Sequence, residues 1–235
     1  MPVFRFRDFQ VDDAGCGQKV CSDSVLLGAW AFADRDADRD ATVLDIGTGS
    51  GVLALLCARR FPRAAIIGVE LDEGAANAAA INFAASPWHG RMTLLRSDFR
   101  NTDVRPDLII CNPPFFDNGP VAPDTARARA RHEDGLSYSS LTRYAACVLP
   151  PQGRLAFISP PERADDIAVC LAVGRMYVRR RTFVRGSDRK TPNRILWEVS
   201  PSEGPTEEGS LCVRRNGVYT PEYLDLVEQY YLFLH

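Results

Sequence analysis

Two short runs carry residue types whose spacing could do chemistry: Asp45-Ile46-Gly47-Thr48-Gly49-Ser50-Gly51 and, further on, Asn112-Pro113-Pro114-Phe115. In the second run, two prolines remove backbone donors and stiffen the turn. The Asn112 side-chain carbonyl and the Pro113 main-chain carbonyl are then left as acceptors aimed at one donor group. A planar NH2 has two hydrogens to place. Accepting both draws the nitrogen toward tetrahedral geometry and frees its lone pair for in-line attack on an electrophilic carbon. No strong general base is needed first, because the nitrogen becomes acidic only as it gains its new substituent. Phe115 offers a face on which a flat, extruded group stacks. Asn112, Pro113, Pro114 and Phe115 are therefore the expected catalytic set.

The glycine run says where a cofactor sits. Glycines allow a tight turn and let backbone amides approach a ligand at a helix N-terminus. A dinucleotide site needs Gly-x-Gly-x-x-Gly, but the third glycine here comes one residue early, at Gly51, with Val52 in the sixth place. Asp45 would sit badly against a pyrophosphate and well against an ammonium. The expected ligand is therefore cationic, namely S-adenosylmethionine, cradled by Asp45, Gly47, Thr48, Gly49 and Gly51. Two further carboxylates follow expected strands of the same sheet. Glu70 is read as the acceptor for the ribose hydroxyls and Asp98 as the partner of the adenine amino group, with adjoining Leu71 and Phe99 and the nearby Asn112 in the same cofactor set. Lys19 lies ahead of the first core strand, where it could meet the cofactor's carboxylate or an RNA phosphate.

Positioning these groups requires alternating strands and helices, which points to an α/β domain with a mainly parallel sheet. Strands are expected at Phe4 to Arg7, Thr42 to Ile46, Ala64 to Leu71, Met92 to Arg96, Asp107 to Cys111, Arg154 to Ser159, Met176 to Val184 and Arg194 to Val199. Helices are expected at Ser24 to Phe32, capped by Asp23 with Ser22, then at Val52 to Phe61, Asp72 to Ala85, Ser137 to Leu149, Pro161 to Gly174 and Pro221 to Leu234. Pro120 to Gly135 reads as a long functional loop, and Ser202 to Ser210 as an acidic linker. A single domain is expected, with residues 1–41 as an N-terminal extension, 42–201 as the catalytic core and 202–235 as a C-terminal strand and helix.

Composition narrows the class. With 235 residues, 46% of them hydrophobic, the chain can bury a core without metal or disulfide staples. No apolar run approaches the length of a membrane span, and the first ten residues lack a signal-peptide core. Seven scattered cysteines, with no Cys-x-x-Cys pair and only three dispersed histidines, predict reduced thiols in a cytoplasm and no metal site. The net charge of −2 neither demands nor excludes nucleic acid, but the basic residues are almost all arginine and concentrate in two places. Arg127, Arg129, Arg131 and His132, with Phe116, form one candidate substrate surface. Arg185, Arg189 and Lys190, in a stretch that also holds Arg179-Arg180-Arg181, form the other. Arginine pairs bidentately with phosphate and stacks on bases, which suits RNA.

Asp45 to Gly51 and Asn112 to Phe115 resemble the cofactor loop and the Asn-Pro-Pro-aromatic motif of class I, Rossmann-like amino methyltransferases. The narrower resemblance is to the bacterial tRNA1(Val) adenine N6-methyltransferase family. It rests also on Lys19 to Trp30, Ser86-Pro87-Trp88 and Tyr230 to Leu234, so it spans nearly the whole chain. This resemblance implies a seven-stranded sheet whose last hairpin is inserted antiparallel, helices on both faces, and a monomer or weak dimer. It further implies S-adenosylmethionine as cofactor and the anticodon stem-loop of a valine tRNA as partner. The chain departs from the family pattern at Cys21-Ser22-Asp23, where Gly-Thr-Asp is usual, and at Phe115, where tyrosine is frequent. A protein glutamine methyltransferase of the release-factor type uses the same motif logic. Those enzymes carry a substantial helical domain ahead of the catalytic one, and only about 40 residues precede Asp45.

Overall fold

Short apolar runs closed by polar turns become strands because alternate side chains can then be buried on two faces. The computed structural model describes residues 3–17, 19–114 and 136–232. The expected loop Pro120 to Gly135, together with Phe115, Phe116, Arg127, Arg129, Arg131, His132, Phe233 and Leu234, lies outside them. A small hairpin, β1 (Phe4–Arg5) and β2 (Gln10–Val11), precedes helix α1 (Ser22–Trp30). There follow β3 (Thr42–Ile46), α2 (Val52–Arg60), β4 (Ala65–Glu70), α3 (Glu73–Ala85), β5 (Met92–Arg96) and β6 (Leu108–Cys111). After the undescribed segment come α4 (Tyr138–Val148), β7 (Arg154–Ser159), α5 (Ala164–Gly174), β8 (Tyr177–Arg185), β9 (Arg194–Ser200) and β10 (Glu207–Cys212). A second hairpin, β11 (Arg214–Arg215) and β12 (Val218–Tyr219), and helix α6 (Pro221–Val227) close the described chain.

The main sheet has eight strands in the order β10-β8-β9-β7-β6-β3-β4-β5, not seven. Only β9 runs against the others, paired antiparallel to β7 and to β8. Strand alternation splits the interior into two cores: Val43, Ile110 and Ile158 face one, with α1, α2 and α6, while Leu44, Ile109 and Phe157 face the other, with α4 and α5. Helices therefore cover both faces, as expected for a Rossmann-like sheet.

The extra strand is β10, in what reads as linker. Its only buried side chain is Leu211, and it pairs in parallel with β8, setting Glu207 and Glu208 opposite Arg180 and Arg181. Arg181 and Glu208 form an ion pair. Hydrophobic patterning misses such a strand because its edge position is defined by backbone pairing and charge complementarity. The N-terminal strand is likewise shorter than expected and stands apart from the main sheet, docked through Phe6 beside Tyr231. The terminal helix ends at Val227, well short of Leu234.

Helix α1 starts earlier than expected, with Cys21 rather than Asp23 at its cap, and Asp23 instead pairs with Arg194 at 2.7 Å. Its end is fixed from far away in sequence. Phe32 sits at φ +58°, its N–H donates to Glu198 at 3.0 Å, and Arg60 donates to the carbonyls of Ala29, Ala31 and Phe32. At Gly28 a Cβ would come within 2.7 Å of Leu56, so glycine permits the close approach of α1 to α2.

Glu198 is buried beside Arg154, at 3.6 Å, and burial pushes its carboxyl above the usual range. Glu198→Ala leaves the Phe32 N–H and the Arg154 guanidinium without that partner. A loss of about 3 kcal/mol is expected, read as a lower midpoint in urea unfolding.

Candidate active site

Strand register lines up the motif residues along one edge. In the order β6-β3-β4-β5, Asp45 lies opposite Ile110 and Gly68, and Glu70 opposite Arg96. Asn112, the glycine loop, Glu70 and Asp98 therefore stand in a row at the carboxyl ends of adjacent parallel strands. Neighbouring strands lie about 4.8 Å apart, so the row has the reach of a nucleoside with a side arm. This is the edge where open α/β sheets bind ligands. A cavity of about 430 Å³ opens at the opposite edge, among Arg35, Asp107 and Pro151, and holds none of the motif residues.

The loop is held from both sides. Gly47 and Thr48 donate their N–H groups to Val69, and Gly51 donates to Thr48. Gly47, Gly49 and Gly51 all take positive φ. Gly51 is also confined, since a Cβ there would fall 2.5 Å from the Phe83 ring. Asp45 projects from β3 toward the start of α2, where one oxygen, Oδ2, accepts from the Thr48 hydroxyl at 2.6 Å and the Ala54 N–H at 3.0 Å. The other oxygen, Oδ1, is buried without a hydrogen-bond partner among the described residues. Full burial pushes the Asp45 carboxyl up to about 7, against the lowering effect of those two bonds.

Glu70 binds the loop with one oxygen, accepting from Gly49 N–H at 2.9 Å, and with the other accepts from Leu71 and Asp72 N–H. Oε2, which accepts only from Gly49 among the described residues, keeps a lone pair for a further donor. Leu71 beside it is 68% exposed, an apolar surface presented at the site's mouth. Asp98 accepts from Arg100 side chain and backbone, and that guanidinium holds its carboxyl below the usual range. Phe99 is buried edge-on against Tyr144, so its ring belongs to the core beneath the site.

Asn112 is held by its nitrogen. Nδ2 donates to the Ser24 hydroxyl at 2.9 Å and approaches Cys21 Sγ at 3.7 Å, whereas Oδ1 is buried and unpartnered among the described residues. Pro113 is buried behind it. The contacts from Ser24 and Cys21 are absent from sequence reasoning, since nothing in the local pattern links positions 88 residues apart. Lys19 bonds the Asp13 carbonyl at 2.8 Å and lies 3.3 Å from its carboxylate.

The arginines of β8 divide by role. Arg180 stacks on Trp30 at 4.1 Å, Arg179 binds the carbonyls of Ser202 and Glu203, and Arg181 is paired with Glu208. These three brace the sheet edge. Arg185 ends β8 on the same edge as Asn112, and Arg189 and Lys190 are exposed in the turn that follows. The Arg214–Arg215 hairpin adjoins that turn, with Asp188 N–H donating to the Arg214 carbonyl.

The residues present fit S-adenosylmethionine. A buried acceptor at Asp45 with no partner among the described residues, a glycine loop before a helix N-terminus and the part-exposed acid Glu70 suit a cationic nucleoside, and the third glycine stands one residue early for a dinucleotide loop. Among the described residues no group of histidine, cysteine, aspartate or glutamate could hold a metal ion. No helix among them is long and apolar enough to cross a membrane.

Comparison with known proteins agrees. The methyltransferase small domain family matches residues 10–135. A tRNA1(Val) (adenine(37)-N6)-methyltransferase of Porphyromonas gingivalis is 39% identical over 97% of this chain and 94% of its own length. The enzyme of that name from Tolumonas auensis is 40% identical over 97% of this chain and 96% of its own length. Among solved structures, a predicted O-methyltransferase from Agrobacterium tumefaciens superposes with a TM-score of 0.67 over 90% of this chain and 98% of that one, at 19% identity, and so shares the fold. The chain is thus an S-adenosylmethionine-dependent enzyme of the methyltransferase small domain family, and belongs within it to the tRNA1(Val) (adenine(37)-N6)-methyltransferases.

Proposed function

We propose that the chain methylates the exocyclic N6 amino group of the adenosine 3′ of the anticodon in valine tRNA. The observation that carries this reading is the Asn112 amide, tethered by its nitrogen, with its carbonyl oxygen unpartnered among the described residues. Bound S-adenosylmethionine supplies an electrophilic methyl on a sulfonium.

The protein's own groups do the remaining work. Asn112 Oδ1 and the Pro113 carbonyl accept the two N6 hydrogens and hold the nitrogen lone pair in line with the methyl. Pro113 and Pro114 keep that turn from relaxing, and Phe115 supplies the stacking face for the extruded adenine. Asp45, with Gly47, Thr48, Gly49 and Gly51, cradles the methionine end. Glu70 takes the ribose hydroxyls and Leu71 covers the nucleoside. Asp98, once released in part from Arg100, receives the adenine amino group, with Phe99 fixing the turn that carries it. Lys19, once released from Asp13, reaches the cofactor's carboxylate.

Arg185, Arg189 and Lys190 hold the anticodon stem-loop, together with Phe116 and the cluster Arg127, Arg129, Arg131 and His132. The reaction takes place in the cytoplasm, with the tRNA pool.

Incubation of the protein with S-adenosylmethionine and unmodified tRNA transcripts, followed by nucleoside digestion, is expected to give N6-methyladenosine on valine tRNA. Methylation of a release factor with none on tRNA would overturn the reading. Replacing Arg185, Arg189 and Lys190 together by alanine is expected to weaken tRNA binding. It should also reduce the slope of log K against log salt by about 2–3, since each lost phosphate contact removes roughly 0.7–0.9. An unchanged slope would move the RNA elsewhere on the surface.

A further inference from the structure

An asparagine amide has two ends of nearly equal shape and opposite hydrogen-bonding sense, and its terminal torsion is soft. Turned by half a rotation, Asn112 would present NH2 to the substrate's NH2, donor against donor. Something must therefore set the sense of this amide before substrate arrives. Among the described residues, the groups bonded to its Nδ2 are Ser24 Oγ at 2.9 Å and Cys21 Sγ at 3.7 Å, both at the start of α1.

A hydroxyl alone could serve either amide end, but the neighbouring thiol breaks the tie. Cys21 Sγ lies 3.6 Å from Ser24 Oγ, where it can accept a hydrogen bond from the hydroxyl and so leave an oxygen lone pair for Nδ2. A sulfur at that distance also tolerates an amide N–H better than a carbonyl oxygen. Ser24 is buried, so water does not compete for the contact. Its helix is fixed by Asp23 on Arg194, by the Phe32 contact to Glu198 and by the glycine approach to α2.

We infer that Ser24, supported by Cys21, is a positioning residue that turns the Asn112 carbonyl toward the acceptor nitrogen. The inference rests on the proposed N6 methylation and deepens it, by making the N-terminal helix part of the catalytic apparatus.

The test is a double-mutant cycle read on kcat, with alanine at position 24 chosen because it suits a helix interior. Ser24→Ala is expected to lower kcat about 10-fold, roughly the worth of one orienting hydrogen bond, and to leave both the S-adenosylmethionine Kd and the KM for tRNA within about 2-fold. In the Asn112→Ala background the same change should do nothing further, because a positioning residue acts only through what it positions. Equal losses in both backgrounds, or a loss confined to KM or to thermal stability, would overturn the inference.

A readout independent of activity separates this from the functional reading. The Asn112 side-chain NH2 protons should be protected from solvent exchange by NMR in the wild-type protein and exposed in Ser24→Ala. Their equal protection in both would refute the clamp even if tRNA proved not to be the substrate. Intact protection lost on Ser24→Ala, in a protein that methylates no tRNA, would uphold the clamp and discard only the substrate.

Discussion

Asn112→Ala is expected to lower kcat for methyl transfer by about 10²–10³-fold, the usual consequence of removing one preorganised polar partner of a transition state. The bound amine keeps the Pro113 carbonyl but loses the second acceptor, so its lone pair is no longer held toward the methyl. Cofactor affinity should change far less, because the described contacts of Asn112 run to Ser24 and Cys21 and not to the glycine loop. Single-turnover rates with saturating tRNA, beside calorimetric titration of S-adenosylmethionine, separate the two quantities. A variant that binds cofactor normally and keeps its full rate would remove Asn112 from the chemistry.

The second large effect belongs to Asp45. Burial raises its carboxyl from 3.8 to about 7, so below that value the folded protein without ligand favours the protonated form. The sign follows: the stability this group contributes is fully present below about 3.8 and is lost as pH rises through about 7. An ammonium brought against Oδ1 favours the ionised form instead. Cofactor binding below about 7 should therefore release a proton, and affinity should rise toward tenfold per pH unit before levelling off above that value.

Asp45→Asn keeps an acceptor for Thr48 and Ala54 and removes the charge. Affinity should fall by about 2–4 kcal/mol, and the pH slope should vanish. Titrations between acidic and alkaline pH, in buffers of differing ionisation heat, report both. A pH-independent wild-type affinity with no proton release would mean that Asp45 is already ionised, or that the ammonium is held elsewhere.

The strands that carry these residues were legible because each is a short apolar run ending in a polar residue with work to do. The runs at Thr42–Ile46, Met92–Arg96 and Arg154–Ser159 match their sequence bounds. Glu207–Cys212 was not legible, since five of its six residues are not buried and its register is written in the arginines opposite. The end of α1 was not legible either, because it is set by a carboxylate 166 residues away. The same physics governs the site. Asp45 accepts from Thr48 and Ala54 just after it, and Glu70 accepts from Leu71 and Asp72 as well as from the glycine loop, so local spacing betrays them. The bond from Asn112 to Ser24 depends on how α1 packs against the sheet, which no run of neighbouring residues encodes.

The joint between Phe32 and Glu198 also has a consequence in time. Translation delivers the glycine loop and Asn112 long before the strand that bears Glu198, so the end of α1 has Arg60 on its carbonyls early but lacks the Glu198 carboxylate on the Phe32 N–H until that strand pairs with β7. A nascent chain can therefore complete its cofactor cradle while still attached to the ribosome. The helix that orients the reactive amide gains its last anchoring contact only once Glu198 has emerged, so full competence for methyl transfer comes later than the cofactor cradle.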